Sequence, residues 1–335
     1  MGLIPAPYVI EQPGPVYDTL GDVTIGGEVV PLIQIPMEET FPTEGSLNML
    51  TVSIRGNREN LLNWLEIAGA YLDPSMAVLP VDEVYPTGYT VEESNLQGAI
   101  DMENSQKDAI AAALTKLGHE FSSTLTVVEA QPGSPADGVL LPDDLILTVN
   151  GETFPDVTAL RAKIAANGTG SPAVFVVERD GLEQTLDITP VLSDGENPVP
   201  IVGILVGSDY DFPFTVKIQL ENVGGPSAGM MFALGIIDKL TPGAINGGEV
   251  VAGTGTITAT GEVGPIGGIR QKLYGASGAG ADWFLAPEAN CDEVTGHIPA
   301  GLRVFAIKTL DDALTALAAI RSAGDTSGLP SCPTS

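Results

Sequence analysis

At 335 residues, the chain is long enough for two domains or for one domain with a large insertion. Hydrophobic residues make up 44% and charged residues 17%, which excludes wholesale disorder, while 40 Gly and 26 Pro favour turns and sheet over a helical bundle. Fourteen Lys+Arg against 43 Asp+Glu give a formal charge of −29, a surface that repels nucleic-acid phosphates and anionic lipid.

No stretch reaches the roughly 18–20 apolar residues of a spanning helix. The opening MGLIPAPYVIEQPGP is apolar but short, broken by Pro5 and Pro7, and lacks the basic flank of a signal peptide. It reads as the stub that would follow a removed membrane anchor. Cys291 and Cys332 pair only in an oxidising compartment, and a buried free thiol at Cys291 is the expectation. With only His119 and His297 and no Cys-x-x-Cys pair, no zinc constellation can be written, and no metal or organic cofactor is expected.

In chain order, strand-like runs VVPLIQIP and LNMLTVSIR come first, punctuated by Pro and Gly. A helix is then expected over 104–117, where Ala109, Ile110, Ala113, Leu114 and Leu117 share one face and Gly118 stops it. From 119 to 192 the rhythm changes. A strand (LTVVEA), the turn QPGSPADG, the run VLLPDDLILTVNGETF, a short helix VTALRAKIAAN and two strands about Gly181 follow each other. The last 14 residues, SAGDTSGLPSCPTS over 322–335, have the Ser/Gly/Pro composition of a disordered tail.

FTVKIQLENVGGPSAGMMFALGIIDKL reads as a strand, a glycine turn and a helix. Phe214, Val216, Ile218 and Leu220 alternate, and Met230, Ala233, Leu234 and Ile237 follow at helical spacing. Ser227 therefore sits at a helix N-terminus, where Gly224, Gly225 and Gly229 permit close backbone approach and free N–H groups suit a developing oxyanion. A serine there serves equally well as an N-cap. Lys272 lies on a second helix beside Leu273 and Ala276, and burial among apolar neighbours lowers a lysine's pKa toward that of a general base. For a lone helical lysine, a solvated surface charge is the plainer alternative.

Two resemblances sharpen these readings. Gly133-Ser134-Pro135-Ala136, Asp143-Asp144-Leu145-Ile146, Val149-Asn150-Gly151 and Glu178-Arg179-Asp180-Gly181 resemble a PDZ domain, with Asp143 where the family usually carries glycine. Such a module implies a groove taking an extended peptide end, with Leu160 and Ile164 as its helix side and a carboxylate loop near Gly118–Phe121 that brings in Phe121. Leu160 and Ile164 are as readily core residues. Gly225-Pro226-Ser227-Ala228-Gly229, Thr254-Gly255, Gly261-Glu262-Val263 and the run Gly264-Pro265-Ile266-Gly267-Gly268-Ile269-Arg270-Gln271-Lys272 are similar to the proteolytic domain of Lon.

That similarity implies Ser227 as nucleophile and Lys272 as general base, supported by Thr254, Gly225, Pro226 and Ala228. Thr256 stands where the family has an acidic residue. Gly45-Ser46-Leu47 with TVSIRG, and Glu103-Asn104-Ser105 as a helix start, resemble the leading elements of that fold. The expected class is therefore α+β, a Lon-type proteolytic domain with a PDZ-like module inserted. Residues 1–118 would give the leading strands and first helix, 119–192 the PDZ-like domain, 193–321 the catalytic domain and 322–335 the tail. No G-x-x-x-x-G-K-[ST] occurs, so the resemblance is to ATP-independent, PDZ-containing Lon-like serine proteases.

It implies flexible or unfolded protein substrates, a possible homo-oligomer and no nucleic-acid partner. It also implies an extracytoplasmic protein held by an N-terminal anchor that this chain lacks; a complete chain would instead be cytoplasmic. Two rivals remain. Gly225–Gly229 also satisfies G-x-S-x-G, which permits an α/β-hydrolase triad of Ser227, Asp292 and His297, and a PDZ scaffold on a silent peptidase fold would bind without cleaving. GTGTITATG lacks the third glycine and the following helix of a dinucleotide loop.

Overall fold

The structure is a computed structural model that describes residues 4–85, 91–194, 198–323 and 326–333. The chain divides into two compact units: 1–117 with 214–257 and 261–335, and 118–213 with 258–260.

The leading part of the first unit contains β1 (Tyr8–Asp18), β2 (Ser46–Arg55), α1 (Trp64–Tyr71), β3 (Ala77–Pro80) and α2 (Val91–Lys116). The second unit follows with β4 (Ser122–Ala130), β5 (Leu145–Val149), α3 (Val157–Asn167), β6 (Ala173–Arg179), β7 (Leu182–Ile188), β8 (Val191–Leu192), β9 (Pro200–Ile201) and β10 (Ile204–Asp211). The first unit resumes with α4 (Gly229–Leu240), β11 (Val250–Gly253), α5 (Ile269–Gly278), β12 (Trp283–Pro287), α6 (Cys291–Val294), β13 (Arg303–Ile307) and α7 (Leu310–Arg321).

In the first unit, six strands form one mixed sheet in the order β13-β12-β11-β2-β1-β3. β11, β12 and β13 run parallel to one another and to β2, whereas β1 is antiparallel to both of its neighbours. Leu50, Ala252, Phe284, Ala286, Val304 and Ala306 form one core with Ile269, Leu273 and Ala276 of α5. Positions of opposite parity face α4: a Cβ at Gly253 would lie 2.6 Å from Met231 Sδ and 3.0 Å from Leu285 Cβ. Strands covered on both faces read as continuous apolar runs, which is the pattern of VVAG, WFLAP and RVFAI. α4 is buried from Gly229 to Asp238 and packs against α2.

Several expectations change. β1 is absent from the sequence reading, because Pro13, Gly14 and Pro15 argue against a paired strand. The ladder accommodates them by a register shift between Pro13 and Val16. The helix expected over 104–117 begins at Val91, so Glu103-Asn104-Ser105 is mid-helix; its polar first half, EESNLQG, carries no clear apolar face. Gly118 stops it at φ 83°. The strand expected over 214–220 is reduced to Lys217–Ile218, paired with Ile33–Gln34.

The tail is not disordered in its described part. Ala306 N–H donates to Pro330 O (3.0 Å), Cys332 N–H donates to Val304 O (3.3 Å), and Cys332 is disulfide-bonded to Cys291. The free thiol expected at Cys291 is therefore replaced by a crosslink from α6 to a strap along the open edge of β13. Tail residues 324, 325, 334 and 335, like Met1-Gly2-Leu3, lie outside the described residues. Among the described residues, no helix is long and apolar enough to cross a membrane.

The second unit is a five-stranded antiparallel sheet, β7-β6-β5-β4-β10, around a core that includes Leu125, Ile146, Leu160, Ile164, Phe175 and Val206. Its boundary at 192 is too early, because β10 supplies the outer strand beside β4. Asp143 holds φ 71°, the left-handed region in which glycine is the relaxed choice. Asp144 is fully buried and receives both Nε and Nη2 of Arg179 at 2.6 Å. Burial alone would raise its carboxyl, but the Arg179 and Leu141 hydrogen bonds hold it below the usual range.

Candidate active site

Ser227 occupies the turn that leads into α4. Ala228, not Ser227, is the N-cap of that helix, and no side chain caps it. The turn is held by its backbone. Ser227 O accepts from Gly255 N–H and from Thr254 Oγ1, both at 2.9 Å, and Met230 N–H donates to Gly255 O at 3.1 Å. α2 braces the other side, where Gly225 N–H donates to Gly98 O (2.8 Å) and Ser105 Oγ to Pro226 O (2.9 Å).

Glycine is required twice here. Gly225 has φ 84°, and a Cβ at Gly229 would lie 2.8 Å from Ile257 Cγ2 and 2.9 Å from Ser105 Oγ. Among the described residues, the Ser227 and Ala228 N–H groups donate to no protein acceptor, leaving two adjacent donors at the start of a helix.

Lys272 comes from the first turn of α5 and is 2% exposed. Its Nζ donates to Ser227 Oγ at 2.7 Å and to Thr254 Oγ1 at 3.0 Å. Thr254, fully buried, follows the last residue of β11, so serine, lysine and threonine meet at the carboxyl end of a parallel strand. Burial pushes the lysine amine down to about 7, against a smaller upward pull from Glu11. The cavity in front of these groups is lined by Glu11, Met49, Thr51, Met102 and residues 222–228.

Asp292 and His297 do not line this cavity, and the partner of Ser227 is an amine. Thr256 lies on the short strand Thr256–Ile257 paired with Val263–Gly264. Glu11 and Met102 were missed. Glu11 lies in the strand that Pro13 and Pro15 conceal, and Met102 in the half of α2 that composition left unassigned.

In the second unit, Leu160 and Ile164 belong to the core and also line a groove beside α3. The opposite wall is Val199–Ile204 with Val206, on the side of the sheet where β10 is the outermost strand. Phe121 is not part of that groove. Its ring meets Tyr210 and Phe212 edge-on, at centroid distances of 5.9 and 5.1 Å. The loop expected near Gly118–Phe121 is thus replaced by Val199–Gly203, which has Gly203 at φ 75°.

Residues 222–319 match the family model of the Lon protease (S16) C-terminal proteolytic domain. The chain carries a Lon-type proteolytic domain. That Lon-type match spans the Ser227 turn, Thr254 and α5, and residues 99–189 match the PDZ domain model. The Lon protease of Campylobacter concisus is 29% identical over 206 residues, covering 56% of this chain and 25% of that protein. Lon protease 1 of Sorangium cellulosum is 37% identical over 101 residues, covering 29% of this chain and 12% of that protein. The chain thus spans a quarter or less of the length of these curated relatives. The PDZ domain of an SdrC-like protein from Listeria monocytogenes aligns at 22% identity over 24% of this chain and 85% of its own, with a TM-score of 0.23.

Proposed function

We propose that the protein is a serine endopeptidase that hydrolyses flexible or unfolded polypeptides without ATP. Ser227 is the nucleophile and Lys272 its general base. The observation that carries this reading is the 2.7 Å approach of a buried amine, lowered to about 7, to the Ser227 hydroxyl. Neutral Lys272 takes the hydroxyl proton as Ser227 Oγ attacks the scissile carbonyl. The Ser227 and Ala228 N–H groups receive the oxyanion, and Lys272 returns the proton to the leaving amine. Water then repeats the cycle on the acyl-enzyme. Thr254 orients Lys272 by binding both its Nζ and the Ser227 carbonyl.

Peptide ends dock in the groove between α3 and Val199–Ile204, so the PDZ-type unit recruits substrate. The Cys291–Cys332 disulfide supports a place outside the reducing cytoplasm. Assembly into a homo-oligomer belongs to the same proposal and is read by sedimentation velocity.

The deciding experiment is hydrolysis of an unstructured protein without ATP or added metal by wild type, Ser227→Ala, Lys272→Met and His297→Ala. Cleavage lost in the first two variants and kept in the third is the expected result. Loss with His297→Ala would point to a triad, and peptide binding without any Ser227-dependent cleavage would sink the peptidase reading in favour of a scaffold.

A further inference from the structure

Glu11 is a half-buried carboxylate in the middle of β1 that lines the same cavity as Ser227 and Lys272. It lies against the first turn of α5, the helix that carries Lys272. A Cβ at Gly268, the N-cap of α5, would sit 2.8 Å from Glu11 Oε1 and 2.6 Å from Val52 Cγ1. Gly268 also holds φ 67°, so space and conformation both demand glycine where the carboxylate enters.

With the Gln271 amide turned so that both of its ends find partners, the other oxygen, Oε2, accepts from the Gln271 side-chain nitrogen at 3.2 Å, and the Gln271 oxygen accepts from Ala77 N–H at 3.2 Å. Ala77 stands opposite Glu11 in the β1–β3 ladder, and Gln271 is 2% exposed. A buried amide thus clamps the carboxylate between two strands and the helix of the lysine. The start of a helix also favours a negative charge.

The charged groups facing Glu11 are Lys272 on α5, Glu293 on α6 and Glu83 beyond β3. Burial is the main cause that raises the Glu11 carboxyl, Glu293 and Glu83 add to it, and Lys272 opposes them. Glu11 is the charge that pulls Lys272 upward; its nearer partners Ser227 and Thr254 are neutral.

We propose that Glu11 is a positioning residue for Lys272, holding the amine toward Ser227 and stabilising the ammonium that forms when it takes the hydroxyl proton. The inference rests on the Ser227–Lys272 reading and deepens it. In the acylation step the Ser227 O–H proton passes to Lys272 Nζ, and the freed oxygen pair bonds the carbonyl carbon. The resulting ammonium stays in the field of the Glu11 carboxylate, which lines the same cavity, until its proton leaves with the amine product.

Two effects of Glu11→Gln then run in opposite directions. Without the carboxylate the lysine loses its upward pull, so the acidic limb of kcat/KM moves to lower pH. The nascent ammonium loses its counter-charge, so the plateau falls. A side chain that merely supports the fold lowers the plateau and leaves the limb in place.

The test has two readouts. One is kcat/KM on a flexible peptide from pH 5 to 9 for wild type, Glu11→Gln, Glu11→Asp and Gln271→Met. The other is NMR titration of the Lys272 Cε in 13C-lysine-labelled Ser227→Ala protein with and without Glu11→Gln, assigned by its loss in Lys272→Met. Glu11→Gln is expected to move the lysine midpoint below that of the parent and to lower the plateau roughly tenfold, a change equal to one pKa unit in free energy. Glu11→Asp restores part of the rate, and Gln271→Met, which keeps both charges and removes the clamp, shifts the midpoint less. A lysine midpoint unchanged or raised in Glu11→Gln overturns the proposal. Because the titration needs no turnover, a shifted midpoint in a protein that never cleaves would overturn the peptidase reading and leave the Glu11–Lys272 coupling standing.

Discussion

Lys272 Nζ lies 2.7 Å from Ser227 Oγ on a side chain that is 2% exposed, so the amine meets the hydroxyl where water scarcely reaches. An amine lowered to about 7 is protonated below that pH and neutral above it, and only the neutral form accepts a proton. Initial rates at constant ionic strength are therefore expected to rise about tenfold per pH unit below 7 and to level off above about 8. A flat profile, or one that falls from pH 6 to 9, would remove Lys272 from the role of base.

The same burial makes Lys272 a cost to folding. Its folded pKa is depressed toward 7 while the unfolded chain keeps the ordinary value of 10.5. Between those limits the unfolded state binds more protons, so stability rises with pH across the window from about 7 to about 10.5. Below pH 7 both states are protonated and the whole penalty is present. Lys272→Met is expected to stabilise the first unit by about 1–3 kcal/mol at pH 6, after allowance for the lost hydrogen bonds, and by less at pH 9. Urea melts of wild type and variant at the two pH values check it; a variant that is less stable at pH 6 contradicts it.

How far the site was legible depends on how local its signals are. The Ser227 turn and the Gly264–Lys272 run are contiguous blocks whose glycines and polar residues have few other uses, so they stand out in one sequence. Glu11 does not, because its strand is broken by Pro13, Gly14 and Pro15 and is recognisable only once the register shift opposite Val52 and Leu50 is seen. The strap around Cys332 has the composition of a solvated tail; its order comes from a disulfide and an open sheet edge, neither of which composition encodes. Phe121 came only from the resemblance to a PDZ domain, and no motif of its own marks the Gly118–Phe121 segment as a carboxylate loop. β10, from beyond the expected boundary, takes the edge position and brings Val199–Gly203 with it.

The strap carries its own test. The crosslink closes a separation of 41 residues and holds Cys332, 3% exposed, against Val304. Its neighbour Asn290 both accepts from Ile266 N–H (3.0 Å) and donates to Ile266 O (2.9 Å), fixing the approach to α5. Loss of a loop-closing disulfide typically costs about 2–4 kcal/mol. Cys291→Ser/Cys332→Ser is expected to lose stability on that scale and to become sensitive to proteolysis within 322–333. Mass spectrometry of limited digests, with and without reductant, reads the outcome. Equal digestion of oxidised and reduced protein would mean that the strap is held by its backbone pairing alone.

The groove separates two placements of peptide recognition that composition could not. Val199 is 51% exposed on the wall opposite α3, whereas Phe121 packs on Tyr210 and Phe212 away from that wall. A peptide in the groove would run past Val199, and a charge there would face an apolar lining of Leu160, Ile164 and Ile201. In the full chain carrying Ser227→Ala, Val199→Asp is expected to weaken binding of a fluorescent peptide with an apolar C-terminal residue by about tenfold, or about 1.4 kcal/mol. Phe121→Leu is expected to leave the affinity within about twofold, since Phe121 does not line the groove. Fluorescence anisotropy decides between them. If Phe121→Leu abolished binding while Val199→Asp did not, the peptide would bind at the start of β4 rather than in the groove.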